Sequence, residues 1–348
     1  MRQGTSKQPV LILFGPTASG KTALLEKLFQ EPGSVEIISA DSMQVYCGLD
    51  IGTAKPTPEE RAKVPHHLID IRDPDEQFNA GEFVRLTEEA CILVAGRGAL
   101  PVVSGGTAFY LKNLVQGLSE APPSCKEIRG RLKEELELRG AEALLEELSR
   151  ADPVSAGRIH INDEYRLLRA LEVYRLTGQP LSSFSSPWNS RTYDEKKSSS
   201  GGTEAQRKQG KWDSRPFRFM LVGLRRDREE LYRRINARTA SMFRAGLAEE
   251  VRRLFEAGYT PAHPGLRAIG YREFFIEDNA PGESAASWRL SQDLSGVEAL
   301  VAQNSRRYAK RQLTFFASLP DVIWLDCSDV EDDVRKLQML LEDFLSNQ

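Results

Sequence analysis

The chain has 348 residues, 40% of them apolar and 28% charged, enough for a hydrophobic core and for two domains. Its net charge of −3 means that a nucleic-acid partner would have to be met by local basic patches rather than by a basic chain. No apolar run reaches the roughly 18 residues of a membrane-spanning helix, and the polar residues 1–8 carry no apolar signal segment, so a cytoplasmic protein is expected.

Residues 10–14 (Val-Leu-Ile-Leu-Phe) read as a buried strand, and residues 23–29 as the start of a helix. Between them lies Gly15-Pro16-Thr17-Ala18-Ser19-Gly20-Lys21-Thr22, which fills every fixed position of G-x-x-x-x-G-K-[ST]. In that order of elements, successive backbone N–H groups converge on an anion and the helix N-terminus adds positive partial charge. Lys21 would reach terminal phosphate oxygens, and the Thr22 hydroxyl would coordinate Mg²⁺. The bland alternative is an ordinary strand-to-helix turn, and the motif does not say whose phosphates it holds.

A second strand, residues 35–39, ends at Ala40-Asp41-Ser42. Ligands of open α/β sheets bind beyond the carboxyl ends of strands, which places Asp41 near the phosphate loop. Its carboxylate could bind Mg²⁺, accept a proton, pair with a ligand amine, or simply cap a following helix. Met43-Gln44-Val45-Tyr46 follows, then a glycine-bearing loop over residues 48–56 in which Thr53 and Lys55 are plausible polar ligands. The His66-His67 pair is weak support for a metal, with no third ligand at a helical spacing. Cys47, Cys91, Cys125 and Cys327 form no C-x-x-C pair, so reduced thiols and no zinc site are expected. A helix opens near Phe78 and runs through Ala95, and a third buried strand over residues 100–104 ends at Gly105-Gly106-Thr107. Two glycines there allow close approach to a ligand, and Thr107 is either a hydroxyl donor or a helix cap.

From residue 122 to 184 the pattern becomes all-helical. Helices are expected over residues 126–140, 141–150 and 164–177, the last capped by Asn162-Asp163 and ended by Gly178 and Pro180. Leu167, Leu171 and Tyr174 share one face of it, with Arg166 and Arg169 on the other. A solvated charged face accounts for those arginines, and a phosphate-backbone contact is the sharper reading. Residues 185–216 read as a flexible linker, after which residues 217–224 restore the sheet. The expected organisation is therefore a P-loop NTPase-like α/β core (1–121 and 217–348), a parallel sheet flanked by helices, with an inserted helical domain (122–184).

Six arginines lie between residues 225 and 238. On a helical wheel Arg228 and Arg238 fall in the apolar sector and Arg234 at its edge, where a charge is costly unless it meets an anion. Arg252, in the next helix, is a further candidate. Arg267-Ala268-Ile269-Gly270-Tyr271-Arg272 joins two arginines to a tyrosine, a pairing suited to nucleic acid. Arg306, Arg307, Lys310 and Arg311 crowd one amphipathic segment, and a closing strand (322–326) and helix (330–345) end the pattern.

Together, several stretches resemble the tRNA dimethylallyltransferase family of bacterial type: Gly15 to Thr22, Asp41-Ser42-Met43-Gln44-Val45-Tyr46, residues 50–56 and 64–70, Gly105-Gly106-Thr107, residues 166–174, Gly270-Tyr271-Arg272 and residues 308–312. The resemblance covers roughly residues 9–184 and 217–318. It implies transfer of a dimethylallyl group from its diphosphate to N6 of the adenosine just 3′ of the anticodon, in tRNAs reading codons that begin with U. It further implies that the loop of Gly15, Pro16, Thr17, Ala18, Ser19, Gly20, Lys21 and Thr22 holds the diphosphate, with Mg²⁺ and an arginine, Arg228 ahead of Arg252. Asp41 corresponds to the general base and Thr107 to the threonine at the reacting centre. Asp41, Ser42, Met43 and Gln44, with Arg129, Tyr165, Arg166, Leu167, Leu168 and Arg169, and residues Arg267 to Arg272, correspond to tRNA-binding stretches gripping the anticodon stem-loop. The resemblance extends to a monomer. Cys47 stands where the family commonly has arginine, and Tyr165 where glutamine is frequent. A P-loop also invites ATP, so the rivals are a small-molecule kinase, an isopentenyltransferase acting on free AMP or ADP, and a non-enzymatic nucleotide switch that binds RNA.

Overall fold

The computed structural model describes residues 7–29, 31, 33–184, 216–278, 287–327 and 329–346. Apart from Pro216, the linker expected at 185–216 lies outside them. Packing divides the described residues into two compact units: those up to Val115 together with those after Trp212, and those from Gln116 onward in between.

The first unit is built on six parallel strands: β1 (Gln8–Phe14), β2 (Val35–Ser39), β3 (His66–His67), β4 (Leu100–Gly105), β5 (Phe217–Arg225) and, near the chain end, β8 (Ile323–Asp326). Their order across the sheet is β3-β2-β4-β1-β5-β8. The run from Val10 to Phe14 is fully buried, as a central parallel strand covered on both faces requires. Alternate side chains feed two cores. Val10, Ile12 and Phe14 pack with Phe83, Leu111 and Phe316 on one face. Leu11 and Leu13 pack with Leu24, Leu25 and Leu337 on the other. Phe14 pairs with both Gly105 and Gly223, so the loops that follow β1 and β4 leave the sheet side by side. An added Cβ on Gly105 would overlap the Ala40 carbonyl, and this close approach seats the end of β4 against the end of β2.

The helices of this unit are α1 (Lys21–Leu28), α2 (Pro58–Lys63), α3 (Ala80–Gly96) and α4 (Ala108–Gln116). The second unit holds α5 (Lys126–Ala151), α6 (Pro153–Ala156) and α7 (Glu164–Thr177). Gly140 interrupts α5 with φ 79°, ψ 164°, so two helices meet there as its sequence implies. The unit's core is Leu132, Leu144, Leu148, Leu167, Leu168 and Leu171. The first unit then resumes with α8 (Arg228–Arg244), α9 (Leu247–Glu256), α10 (Leu294–Phe316) and α11 (Val330–Ser346).

Two features differ from the sequence reading. An antiparallel pair, β6 (Phe275–Asp278) and β7 (Ser287–Leu290), joins a third core with Val45, Leu49, Val251, Tyr271 and Phe274. The loop over residues 48–56 is also internal scaffolding rather than a set of ligand groups. The buried Glu250 carboxylate accepts N–H bonds from Asp50 (3.1 Å), Ile51 (2.8 Å) and Gly52 (3.2 Å), and the Tyr271 hydroxyl donates to it at 2.6 Å. Lys55 is buried between Asp50 (2.5 Å) and Asp70 (2.6 Å), and the Thr53 hydroxyl donates to the Leu49 carbonyl at 2.6 Å. Charges and hydroxyls so paired hold the loop's shape and are not free for a ligand.

Candidate active site

The site forms where β1, β2 and β4 end. In the loop after β1, Ala18 and Gly20 take positive φ (62° and 103°), a conformation that only glycine adopts without strain. Three side chains from distant elements hold the loop's outward-facing backbone. Arg226 Nε donates to the Ser19 carbonyl at 2.7 Å, Arg234 Nε donates to the Ala18 carbonyl at 3.0 Å, and Thr17 N–H donates to Gln312 Oε1 at 3.1 Å. Lys21 Nζ donates to the Gly15 and Pro16 carbonyls, each at 3.0 Å. Burial, and next the charge of Arg238, bring its pKa down to about 8, with Asp41 opposing both. Burial likewise lowers the pKa of Arg238, against the pull of Asp41. Lys21, Arg238 and Asp41 thus share one electrostatic field.

Asp41 caps no helix. Its Oδ1 accepts N–H bonds from Met43 (2.9 Å) and Gln44 (3.4 Å) in a tight turn, which fixes the carboxylate's orientation. Thr107 does not use its hydroxyl on its own helix either. Its Oγ1 accepts the Ser42 N–H at 2.9 Å and lies 3.3 Å from Ser42 Oγ, while its own N–H reaches the Ala40 carbonyl at 3.1 Å. The ends of β2 and β4 are therefore laced together around Asp41 and Thr107. The Gln44 amide is occupied by Ser39 Oγ and by the Thr53 and Ala54 carbonyls.

The arginines that bond the loop are not Arg228 and Arg252, the two favoured for the diphosphate, although Arg234, at the edge of the wheel's apolar sector, is one of them. Arg228, at the exposed start of α8, lies over the Tyr232 ring at 5.3 Å, and the exposed Arg252 pairs with Glu249 at 3.4 Å. The guanidiniums that bond the loop are those of Arg226 and Arg234. An added Cβ on Gly20 would stand 3.1 Å from Arg226 Nη2 and 3.7 Å from Arg234 Nη2, so the missing side chain makes room for them. Arg226 precedes the helix, where no wheel applies, so periodicity carried no signal for it. Tyr308 and Gln312 were also missed as site members. Their signal was two polar residues four apart on the face of α10 that buries Ala309 and Phe316.

Among the other nucleic-acid candidates, exposure divides the set. Arg166 is exposed and pairs with Asp163 at 3.0 Å; Tyr165 is exposed, with the Arg129 guanidinium 5.0 Å from its ring centre. Arg129 and Arg169 both bind the fully buried Glu172, at 2.9 and 3.0 Å. Burial raises the Glu172 pKa, but hydrogen bonds from Ser124, Arg169, Arg129 and the Cys125 N–H outweigh it and hold the carboxyl below its ordinary value. Leu167 and Leu168 are buried in the helical core, so their side chains present nothing to a partner. Tyr271 is likewise buried, with its ring against Gly52, so the tyrosine of the pairing read as suited to nucleic acid presents no ring to a partner. Ala268 and Gly270 are buried beside it and Ile269 is half-buried. Arg267 folds back onto the Pro261 and Ala262 carbonyls and Arg272 onto Glu273, but both remain exposed.

A six-stranded parallel sheet flanked by helices, with a lysine-bearing glycine loop at its central strand end and a fixed carboxylate at a neighbouring end, defines an α/β protein whose candidate site lies at the strand ends. The chain belongs to the IPP transferase family, whose model matches residues 44–319. It is 42% identical over 323 residues to tRNA dimethylallyltransferase 1 of Pelobacter propionicus, covering 93% of this chain and 94% of that protein. It is 39% identical to the tRNA dimethylallyltransferase of Geobacter sulfurreducens, with 97% and 98% covered. Among solved structures, the tRNA isopentenylpyrophosphate transferase of Bacillus halodurans superposes with a TM-score of 0.61 at 31% identity, covering 98% of this chain and 97% of that one. A eukaryotic dimethylallyltransferase acting on tRNA superposes with a TM-score of 0.71 at 25% identity, with 98% and 80% covered.

Proposed function

We propose that this chain is a tRNA dimethylallyltransferase. It transfers the dimethylallyl group of dimethylallyl diphosphate to N6 of adenosine 37, next to the anticodon of tRNAs reading codons that begin with U. The observation that carries the reading is the placement of the Lys21 loop beside the Asp41–Thr107 pair, in a chain whose relatives bear that name over almost their whole length.

The residues suit each step. The N6 lone pair attacks the allylic C1, the C1–O bond breaks, and the diphosphate departs with the bonding electrons. Charge that builds on the leaving group meets Lys21, Arg234 and Arg226 around the loop, the kind of fixed cationic field that stabilises a departing anion. Asp41, held in one orientation by the Met43 and Gln44 N–H groups, takes the proton released as the N–C bond forms. We assign Thr107, whose hydroxyl is held by Ser42, to the same centre.

Among the described residues no cluster of three or more His, Cys, Asp or Glu could cage a metal. A hydroxyl donor, Thr22, at the loop's end suits Mg²⁺, which takes few protein ligands and otherwise uses water and phosphate oxygens. When bound there, Mg²⁺ would neutralise charge on the diphosphate. The exposed Tyr165, Arg166, Arg267 and Arg272 are the side chains we assign to the tRNA. No helix of the described residues is long and apolar enough to cross a membrane, and we read the protein as a cytoplasmic monomer.

The test is incubation with unmodified tRNA, labelled dimethylallyl diphosphate, ATP and AMP together. Label on tRNA, abolished when the target adenosine is replaced, is the expected result. Label on AMP alone, or ATP hydrolysis without prenylation, would sink the proposal.

A further inference from the structure

Gln312 comes from α10, almost the whole chain away from the phosphate loop, and its side chain is 4% exposed. Each end of its amide is committed to a different strand-end loop. Oε1 accepts the Thr17 N–H of the loop after β1 at 3.1 Å, and Nε2 donates to the Gly106 carbonyl after β4 at 2.6 Å. The two partners are a donor and an acceptor, which fixes which way the amide points. A primary amide offers a donor and an acceptor on one planar head, and glutamine places it here between the two loops. One turn earlier on the same face, the half-buried Tyr308 phenol interacts with the Thr107 and Gln312 side chains. Burial, and next the charge of Asp41, push its pKa up to about 12, so it stays a neutral donor. The glycine at 106 belongs to the same arrangement: an added Cβ there would lie 2.6 Å from Gln312 Nε2.

We propose that Gln312 is a positioning residue that locks the phosphate loop to the Thr107 strand end, setting the distance between the two reacting partners. In the prenyl-transfer reading, the electrophilic carbon hangs from a diphosphate on the first loop. The attacking amine is aligned by groups on the second. The loops leave neighbouring strands as separate pieces of chain, and the Gln312 amide, assisted by Tyr308, ties them at their tips. An error of about 1 Å between reacting groups costs on the order of a hundredfold in rate, so such a tie acts on the chemical step more than on tRNA binding.

The rate measurement rests on the prenyl-transfer reading; a hydrogen-exchange measurement does not. Wild type, Gln312→Leu, Gly106→Ala and the double variant are compared as full chains. In Gln312→Leu, amides of both the β1–α1 and the β4–α4 peptides should exchange faster. Single-turnover transfer at saturating tRNA and donor should fall roughly 10- to 100-fold, while tRNA affinity stays within about twofold. Gly106→Ala should reproduce part of the loss by displacing the amide, and should add little to Gln312→Leu, because both break one bridge. Unchanged exchange in either peptide, transfer within about threefold of wild type, or additive losses in the double variant would each overturn the bridge. A wild-type chain that modifies no tRNA overturns the functional reading instead, and the exchange data still decide the bridge.

Discussion

Raising the pH should switch off the enzyme's hold on its donor well before a typical lysine would titrate. The perturbed group is Lys21, whose pKa falls from 10.5 to about 8, first because its ammonium is buried and second because Arg238 is nearby. In the proposed reaction the protonated form binds the diphosphate, so activity should be present below that value and lost as pH rises through it. A pKa near 8 leaves the free enzyme about 90% cationic at pH 7 and about 10% at pH 9; an unshifted lysine would still be more than about 95% cationic at pH 9. kcat/KM reports the free enzyme, so kcat/KM for dimethylallyl diphosphate should drop roughly tenfold between those pH values. The kcat profile should hold to higher pH, since bound diphosphate restores the lysine's charge. Steady-state kinetics across this range, with Lys21→Met as a low, flat control, checks the limb. Arg238→Gln tests the cause, because removing a like charge must move the midpoint upward. A midpoint near 10, or an Arg238→Gln midpoint that stays or falls, would refute the reasoning.

Asp41→Ala should lower kcat by roughly 10²- to 10⁴-fold with tRNA affinity largely intact, and near-wild-type turnover removes Asp41 from the role of base. Arg166→Ala should weaken tRNA binding and reduce the slope of log K against log salt by about one; an unchanged slope returns Arg166 to the solvated face. Glu172→Leu should cost the helical unit about 3 kcal/mol, the low end for breaking a buried pair, because Arg129 and Arg169 keep about a fifth of their side chains exposed. Thermal unfolding measures it. The Glu172 carboxyl is held below its ordinary 4.5, so its stabilisation is present above that pH and should be lost as pH falls through the lower folded value. A helical unit equally stable with leucine there would show that the two arginines need no partner.

Most of the sheet was legible because its strands are buried on both faces. The apolar runs beginning at Val10, Val35, Leu100 and Phe217 admit few other readings, and each of the first three ends in residues that suit a ligand. The short strand β3 was not legible: two histidines carry no apolar signal, and their pairing with β2 exists only in the sheet. The β6–β7 pair was missed because its strands are short and half polar: β6 ends in the exposed Glu277 and Asp278, and β7 exposes Ser287 and Arg289.

Polar residues divided the chain least well by type alone. Lys55, Thr53 and Tyr271 look like ligand-binding groups in a linear sequence, yet each is enclosed and paired within the protein. Arg169 looks like part of a charged face with Arg166, and Arg129 like a tRNA contact, yet both hold Glu172. A side chain's composition states what it can bind, and only its surroundings decide what it does bind.

The 15–22 loop, the carboxylate at 41 and the threonine at 107 were set by the sequence itself, through apolar runs that end in glycine, aspartate and threonine. Which side chains complete that centre was decided by tertiary structure. Arg226 and Arg234 reach it from chain that follows the helical insertion in sequence, and Gln312 from near the end of the chain. Periodicity reports which face of an element is buried; it does not report which distant loop that face is buried against.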